Sequence, residues 1–293
     1  SQVLPKLFCG LESLEYRGYD SAGVAFYETT AGMICLKAKG RVSEVKALAT
    51  GYERDLGRCI DAYCGIGHTR WATHGKPSDL NSHPHCTANL SLVHNGIIEN
   101  DTELRENLIR QEYRFLSETD TEVAANLIDF YYKKTGDPVR AIREAVKLIR
   151  GSYAFGIIFH EKPREIYAIR KDSPLILAAG ADGNYIASDI PAVLKYTDQY
   201  YRLNEGEIAV ATPESISLLR EDGEMSVPKY TKITWSIDAA EKEGFPHFML
   251  KEIHARSETR FLLCFLRISK RFLWKMNSIP LILWHAVRQC TPA

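Results

Sequence analysis

Short strands, then a block of helices, then short strands again predict an α+β fold with segregated layers rather than alternating βαβ units. Three observations carry that prediction. Strand-length runs with β-branched or aromatic residues, bounded by Gly or Asn, occupy residues 23–94. Apolar residues then recur at helical spacing between about residues 100 and 150. From Ser152 to Ser188 the pattern returns to short apolar runs punctuated by Pro, Asp and Gly.

The elements follow in order. Gly23–Tyr27 and Met33–Lys39 read as strands around a Thr/Ala/Gly turn, and Tyr63–Thr69 and Leu90–His94 as two more. Asn100 or Asp101 caps a helix running to about Arg110, with Glu103 in its first turn. Ser117 or Thr119 opens a second, with Val123, Ala124, Leu127, Ile128 and Tyr131 at helical spacing before Gly136 ends it. Asp137-Pro138 opens a third, with Ile142, Ala145, Val146 and Ile149 on one face and Gly151 at its end. Ser152–His160 is almost wholly apolar, as a strand covered on both faces must be, and Glu165–Arg170, Leu175–Ala179 and Asn184–Ser188 follow it.

The chain has 293 residues, 45% of them hydrophobic, enough to bury a sizeable core. Lys and Arg total 37 and Asp and Glu total 37, a balance that argues against a general nucleic-acid binder. No apolar run approaches the ~20 residues of a membrane helix, and Ser1–Lys6 has no signal-peptide layout. Seven scattered cysteines without a C-x-x-C read as reduced thiols, which implies a cytoplasmic protein. Charge is uneven: residues 255–293 hold seven basic residues and one acid, and their apolar blocks lack the turns found earlier. A boundary is therefore placed at His254, with domain 1–254 before it and an unassigned basic, aromatic tail, 255–293, after it.

Four clusters are richer in hydrogen-bonding residues than turns require: Tyr16–Gly23, His68–Gly75, His94–Gly96 and Ser117–Thr121. Arg70 at a strand end beside Trp71 reads either as a surface pair or as a carboxylate clamp covered by an indole. Asn95-Gly96 reads as a hairpin turn or as an oxyanion hole of one side-chain amide and one backbone N–H. Asp120 is a helix cap or the partner of a ligand's ammonium group. Together they outline an α-amino acid site. His68, His74, His83, His85, Cys86 and His94 crowd the same region, but their spacing matches no zinc pattern, and no metal is expected. No G-x-S-x-G elbow supplies a nucleophile.

Several long strings in register resemble one family. They are Leu14–Gly23, Gly67–Gly75, Asn81–His85, Val93–Ile98 and Ser117–Glu122, then Gly151–Ala154, Ser173–Leu175, Ile186–Asp189 and Gly206–Ala209. From about residue 7 to His254 the chain resembles the glutamine–fructose-6-phosphate aminotransferases. The resemblance implies a class II glutamine amidotransferase domain with the N-terminal-nucleophile hydrolase fold, a four-layer αββα sandwich. It implies L-glutamine as substrate, no cofactor, and ammonia passed to a separate sugar isomerase domain that aminates fructose 6-phosphate. It assigns Arg70 to the glutamine carboxylate, Asp120 to the α-amino group, and Asn95 with Gly96 to the oxyanion hole. Trp71 resembles the family's gate, Thr73 and His74 resemble further glutamine-site residues, and Arg17 resembles the Arg beside the nucleophile.

Two departures shape the expectation. The family's mature chain begins Cys-Gly-Ile, on a strand in the heart of the sandwich. This sequence begins at Ser1, a few residues before the helix that follows that strand, so the sandwich is expected to lack its first strand and the chain its nucleophile. Cys9 falls in the helix region and carries no free α-amine, whereas N-terminal catalysis needs both groups on one residue. Similarity also stops at His254, where the family continues into its isomerase half; a shifted reading frame or an amphipathic partner-binding helix would each produce such a tail. The readings that follow are an inactive glutaminase-type domain, a non-catalytic glutamine sensor that associates with an intact homologue, or a chain with an orphaned sheet position and poor stability.

Overall fold

The computed structural model describes residues 3–72, 75–233 and 281–284, Arg17 and the last four by backbone alone. Helix α1 (Val3–Leu14) leads into a hairpin, β1 (Ser21–Glu28) and β2 (Gly32–Lys39), then α2 (Val42–Leu56) and β3 (Ala62–Arg70). β4 (His85–Cys86) and β5 (Leu90–Ile98) precede three helices, α3 (Asp101–Arg110), α4 (Asp120–Thr135) and α5 (Pro138–Leu148). Strands β6 (Gly151–Phe159), β7 (Ile166–Lys171), β8 (Ile176–Gly180), β9 (Gly183–Ala187) and β10 (Gln199–Arg202) follow. Then come β11 (Ile208–Ala211), β12 (Ile216–Leu219), β13 (Met225–Ser226), β14 (Thr231–Lys232) and β15 (Leu281–Trp284).

The strands form two sheets, ordered β14-β10-β8-β9-β15-β3-β1-β2 and β13-β12-β11-β7-β6-β5-β4. Side-chain alternation sorts the apolar residues into three clusters, one for each gap between four layers. Leu7, Leu11 and Val45 from α1 and α2 pack on Val24 and Phe26 of β1. Between the sheets Ala25 and Ile66 meet Val93, Ala154 and Ile158. On the far side Leu90, Leu92, Phe155 and Phe159 pack against Ile128 of α4 and Ile142 of α5. Each buried layer removes several large side chains from water, at roughly 1.5–3 kcal/mol apiece.

Local chemistry sets the helix ends. Thr119 caps α4 by accepting from the Glu122 N–H, and Gly136 closes it in the left-handed region (φ 64°). Asp137 caps α5 by accepting from the Arg140 N–H, with Pro138 in the first turn. Asn100 stands at the head of α3 without capping it; its side chain instead donates to Leu148 O (2.9 Å) and accepts from Arg150 N (2.8 Å), tying α3 to the exit of α5.

Several boundaries differ from the sequence reading. β5 runs four residues past His94, so Asn95-Gly96 lies within a strand and is no hairpin turn. α5 stops at Leu148 and Gly151 begins β6, because the Ile149 backbone is already extended (ψ 126°). Helix α2 was not anticipated, although Val42, Val45 and Ala49 recur at helical spacing and Gly57 follows in the left-handed conformation. Four of the tail residues assigned to no domain stand inside the first sheet. β15 pairs with β3 (Leu281↔His68 to Trp284↔Gly65) and with β9 (Ile282↔Ala187 to Trp284↔Tyr185), so the ladder across its middle is continuous. The boundary at His254 lies outside the described residues.

Candidate functional site

Two strands from different sheets carry the site. On β3, Cys64 and Ile66 face the gap between the sheets, and on β5 Val93 does the same. The period of two therefore sends His68 and Asn95 into that gap as well, where His68 Nε2 meets Asn95 Oδ1 at 2.9 Å. Burial pushes the His68 imidazole down to about pKa 3, so the ring is neutral and donates Nε2–H to the amide oxygen. That bond fixes the amide, and Asn95 Nδ2 is left buried without a hydrogen-bond partner. A buried, oriented, unused N–H donor is what an oxyanion hole requires.

Its neighbours on β5 point elsewhere. His94 faces α4, where Nδ1 lies 3.0 Å from Thr121 Oγ1. Gly96 adopts φ 134°, and a Cβ there would stand 2.1 Å from the Ser152 carbonyl oxygen, so only glycine fits.

Arg70 ends β3 and is buried. Burial lowers its pKa, the charges of Asp120 and Asp20 oppose the shift, and Nη2 donates to Gly75 O at 3.2 Å. The strand end is clasped by the loop before β1: Asp20 N donates to Arg70 O (3.1 Å) and Asp20 Oδ2 accepts from Ala72 N (2.9 Å). Trp71 is 48% exposed and meets Tyr19 edge-on at 5.9 Å, so the indole stands at the mouth rather than in the core.

Asp120 is the first residue of α4, and the cap is Thr119. This answers the capping alternative: the Asp120 carboxylate accepts from Ile98 N (2.9 Å) and, more weakly, from Thr121 Oγ1 (3.4 Å), and it lines the pocket described below. The turn ahead of it is fixed by Arg105, which donates to Ser117 O (3.1 Å) and Thr119 O (3.0 Å) and stacks on Phe115. Asn81 bridges the 75–83 loop to it, donating to Lys76 O (2.9 Å) and accepting from Glu118 N (3.0 Å).

These pieces converge on one pocket of about 260 Å³, counting the part open to solvent, lined by Arg70, Trp71, His83, His94, Gly96, Thr119, Asp120 and Thr121. Asn95 lies in the strand between two of these residues, His94 and Gly96. Thr73, His74 and the side chain of Arg17 lie outside the described residues. Sequence reasoning did not assign His83, His94, Thr119 and Thr121 to the site, although each falls inside a string quoted for the resemblance. The histidines form a packed set: His83 stacks on His68 (4.2 Å), and His85 Nε2 meets Thr119 Oγ1 at 2.9 Å. Burial depresses the pKa of His83 and His85. Among the described residues no group of three or more His, Cys, Asp or Glu side chains is arranged to hold a metal.

The two packed sheets flanked by helices are those of the N-terminal-nucleophile hydrolase fold of the glutamine amidotransferases, and the pocket joins Arg70, Gly96 and Asp120. Residues 68–195 match the glutamine amidotransferase domain family. The fold resembles that of a glutamine phosphoribosylpyrophosphate amidotransferase from B. subtilis (TM-score 0.57, 26% identity), covering 80% of this chain and 47% of that one. In sequence, the chain is 48% identical over 255 residues to a glutamine--fructose-6-phosphate aminotransferase of Clostridium tetani, covering 86% of this chain and 40% of that protein. It is 49% identical over 247 residues to the enzyme of the same name from Clostridium perfringens (84% and 39%). A third, from Aquifex aeolicus, is 48% identical over 256 residues (86% and 41%). The chain thus carries a glutamine amidotransferase domain of the kind found in the glutamine–fructose-6-phosphate aminotransferases, and spans about two fifths of those relatives' length.

Proposed function

We propose that the pocket binds L-glutamine, with Arg70 on the α-carboxylate, Asp120 on the α-ammonium group, and Asn95 Nδ2 and the Gly96 N–H receiving the oxygen of the side-chain amide. The observation that carries this reading is the convergence of Arg70, Gly96 and Asp120 on one pocket, with opposite charges available to opposite ends of an amino acid. Trp71 at the rim covers the ligand from water. Asn95 provides preorganised stabilisation, because its amide is already oriented by His68 before any substrate arrives.

None of the cysteines described (Cys9, Cys35, Cys59, Cys64 and Cys86) lines the pocket, and Thr119 and Thr121 are hydrogen-bonded to His85 and His94. In the relatives' name the acceptor is fructose 6-phosphate. Arg70 is the one Lys or Arg among this pocket's lining residues, and it is committed to the carboxylate, so the sugar phosphate is assigned no place in this pocket. Free cysteines throughout the described residues support a cytoplasmic setting.

Calorimetric titration with L-glutamine, glutaramate (no α-amino group) and the α-amide of glutamine (no carboxylate) tests the assignment. Saturable binding of glutamine and about tenfold or more weaker binding of each analogue are expected. Equal affinity for all three would overturn the roles of Arg70 and Asp120.

A further inference from the structure

Away from the pocket, two cysteines meet where the edges of the two sheets overlap. Cys35 sits on β2, the edge of the first sheet, and Cys86 on β4, the edge of the second. Both residues are exposed, and their thiols hydrogen-bond to one another. The segment leading to β4 is laid along β2: Lys37 Nζ donates to Leu80 O (3.2 Å), Asp79 Oδ1 accepts from Lys39 N (2.7 Å), and Cys35 Sγ lies 3.9 Å from Pro84 O.

Behind Cys86 stands a short relay. Its Sγ is 3.2 Å from Ser91 Oγ, which is 3.1 Å from His160 Nε2. His160 Nδ1 is 3.0 Å from Ala88 O, and a carbonyl only accepts, so Nδ1 carries the ring's proton and Nε2 is the free base. The Ser91 hydroxyl donates to Cys86 Sγ, where it stabilises the thiolate, and its oxygen lies beside the His160 ring, which Ala88 O orients. The arrangement is that of a nucleophile supported by a hydroxyl donor, with a base held close by through a third group.

We propose that Cys86 and Cys35 are a redox-active pair, in which Cys86 attacks a low-molecular-weight disulfide and Cys35 resolves the adduct into an intramolecular disulfide. In the first step the Cys86 thiolate displaces one thiolate from the small disulfide and forms a mixed disulfide. In the second the Cys35 thiolate attacks Cys86 Sγ and releases the other thiolate. Protein thiols are oxidised, the small disulfide is reduced to two thiols, and the two protein protons end on those products. The two side chains interact directly, and Cys35 Sγ reaches the Pro84 carbonyl two residues before Cys86, so closure to a bond of about 2.05 Å is a local movement. The Cys35 thiol, with the Ser91 hydroxyl and Lys37 assisting, holds the Cys86 thiol below its ordinary pKa, and the pair raises that of Cys35, which fixes the order of attack.

The test is incubation of the full chain with glutathione disulfide, followed by non-reducing peptide mapping and mass spectrometry. A Cys35–Cys86 linkage is expected. Cys35→Ser should stop at a glutathione adduct on Cys86, whereas Cys86→Ser should leave Cys35 modified about tenfold more slowly. Alkylation of Cys86 followed against pH should show a midpoint below the ordinary thiol value of about 8.5, and His160→Gln should raise that midpoint while the melting temperature reports folding. Absence of the linkage at every glutathione ratio, linkage of Cys86 to a different cysteine, or an ordinary midpoint unmoved by His160→Gln would each overturn the proposal.

Discussion

β5 and β6 are hydrogen-bonded neighbours through nine residue pairs, from Leu90↔Phe159 to Ile98↔Gly151, and both are largely buried. β6 spends that burial on packing: Phe155, Ile157, Ile158 and Phe159 are fully covered. β5 spends part of it on Ser91, His94 and Asn95, polar side chains that are costly to bury unless partnered. Ser91 and His94 have partners, and Asn95 keeps one donor unused. Adjacent strands thus divide the work, one holding the sandwich together and the other carrying chemistry at a cost its neighbour offsets.

The sharpest break of that comparison is Phe155→Ala, which leaves a cavity in β6 beside His94 and should cost about 3–5 kcal/mol in urea unfolding while Arg70 and Asp120 stay in place. Gly96→Ala should cost about 3 kcal/mol, because the new methyl meets the Ser152 carbonyl in a backbone conformation that side chains avoid. Asn95→Ala should cost about 1–3 kcal/mol by stranding the His68 Nε2–H, and unlike Phe155→Ala it should also abolish any oxyanion stabilisation in a nucleophile-bearing homologue.

Acid should act through the polar core. Unfolded, His68 takes a proton near pH 6.5, and folded it resists until about 3, so between these values the unfolded state holds the extra proton. The stabilisation is complete above about 6.5 and drains as the pH falls toward 3, amounting to about 2 kcal/mol lost at pH 5 from this group alone. His83 and His85 shift in the same direction. Denaturation midpoints between pH 7.5 and 5 measure it; a flat profile would mean that the histidines take up protons in the fold as readily as in the unfolded chain.

Much of this was legible in residue order. Strands around residues 23–39, 62–70 and 151–187 and the three central helices follow from periodicity and caps, because local patterning and burial agree there. Helix α2 escaped notice because its apolar face is sparse, with only Val42, Val45 and Ala49 buried. Asn95-Gly96 imitates a turn because the same Gly freedom serves a strand pressed against Ser152. Arg70 and Asp120 were readable as a pair of charges, but only the meeting of β3 with the head of α4 puts them in one cavity. The thiol contact between Cys35 and Cys86 joins two sheet edges and has no signature in spacing.

The central claim is that Asp120 and Arg70 hold an amino acid between them. Titrating L-glutamine into the full chain and into its Asp120→Asn variant tests it most directly, since Asn still accepts the Ile98 N–H and keeps the helix intact. The expected result is a Kd raised by about 10- to 100-fold with the melting temperature nearly unchanged; identical affinity in the two proteins would contradict the account.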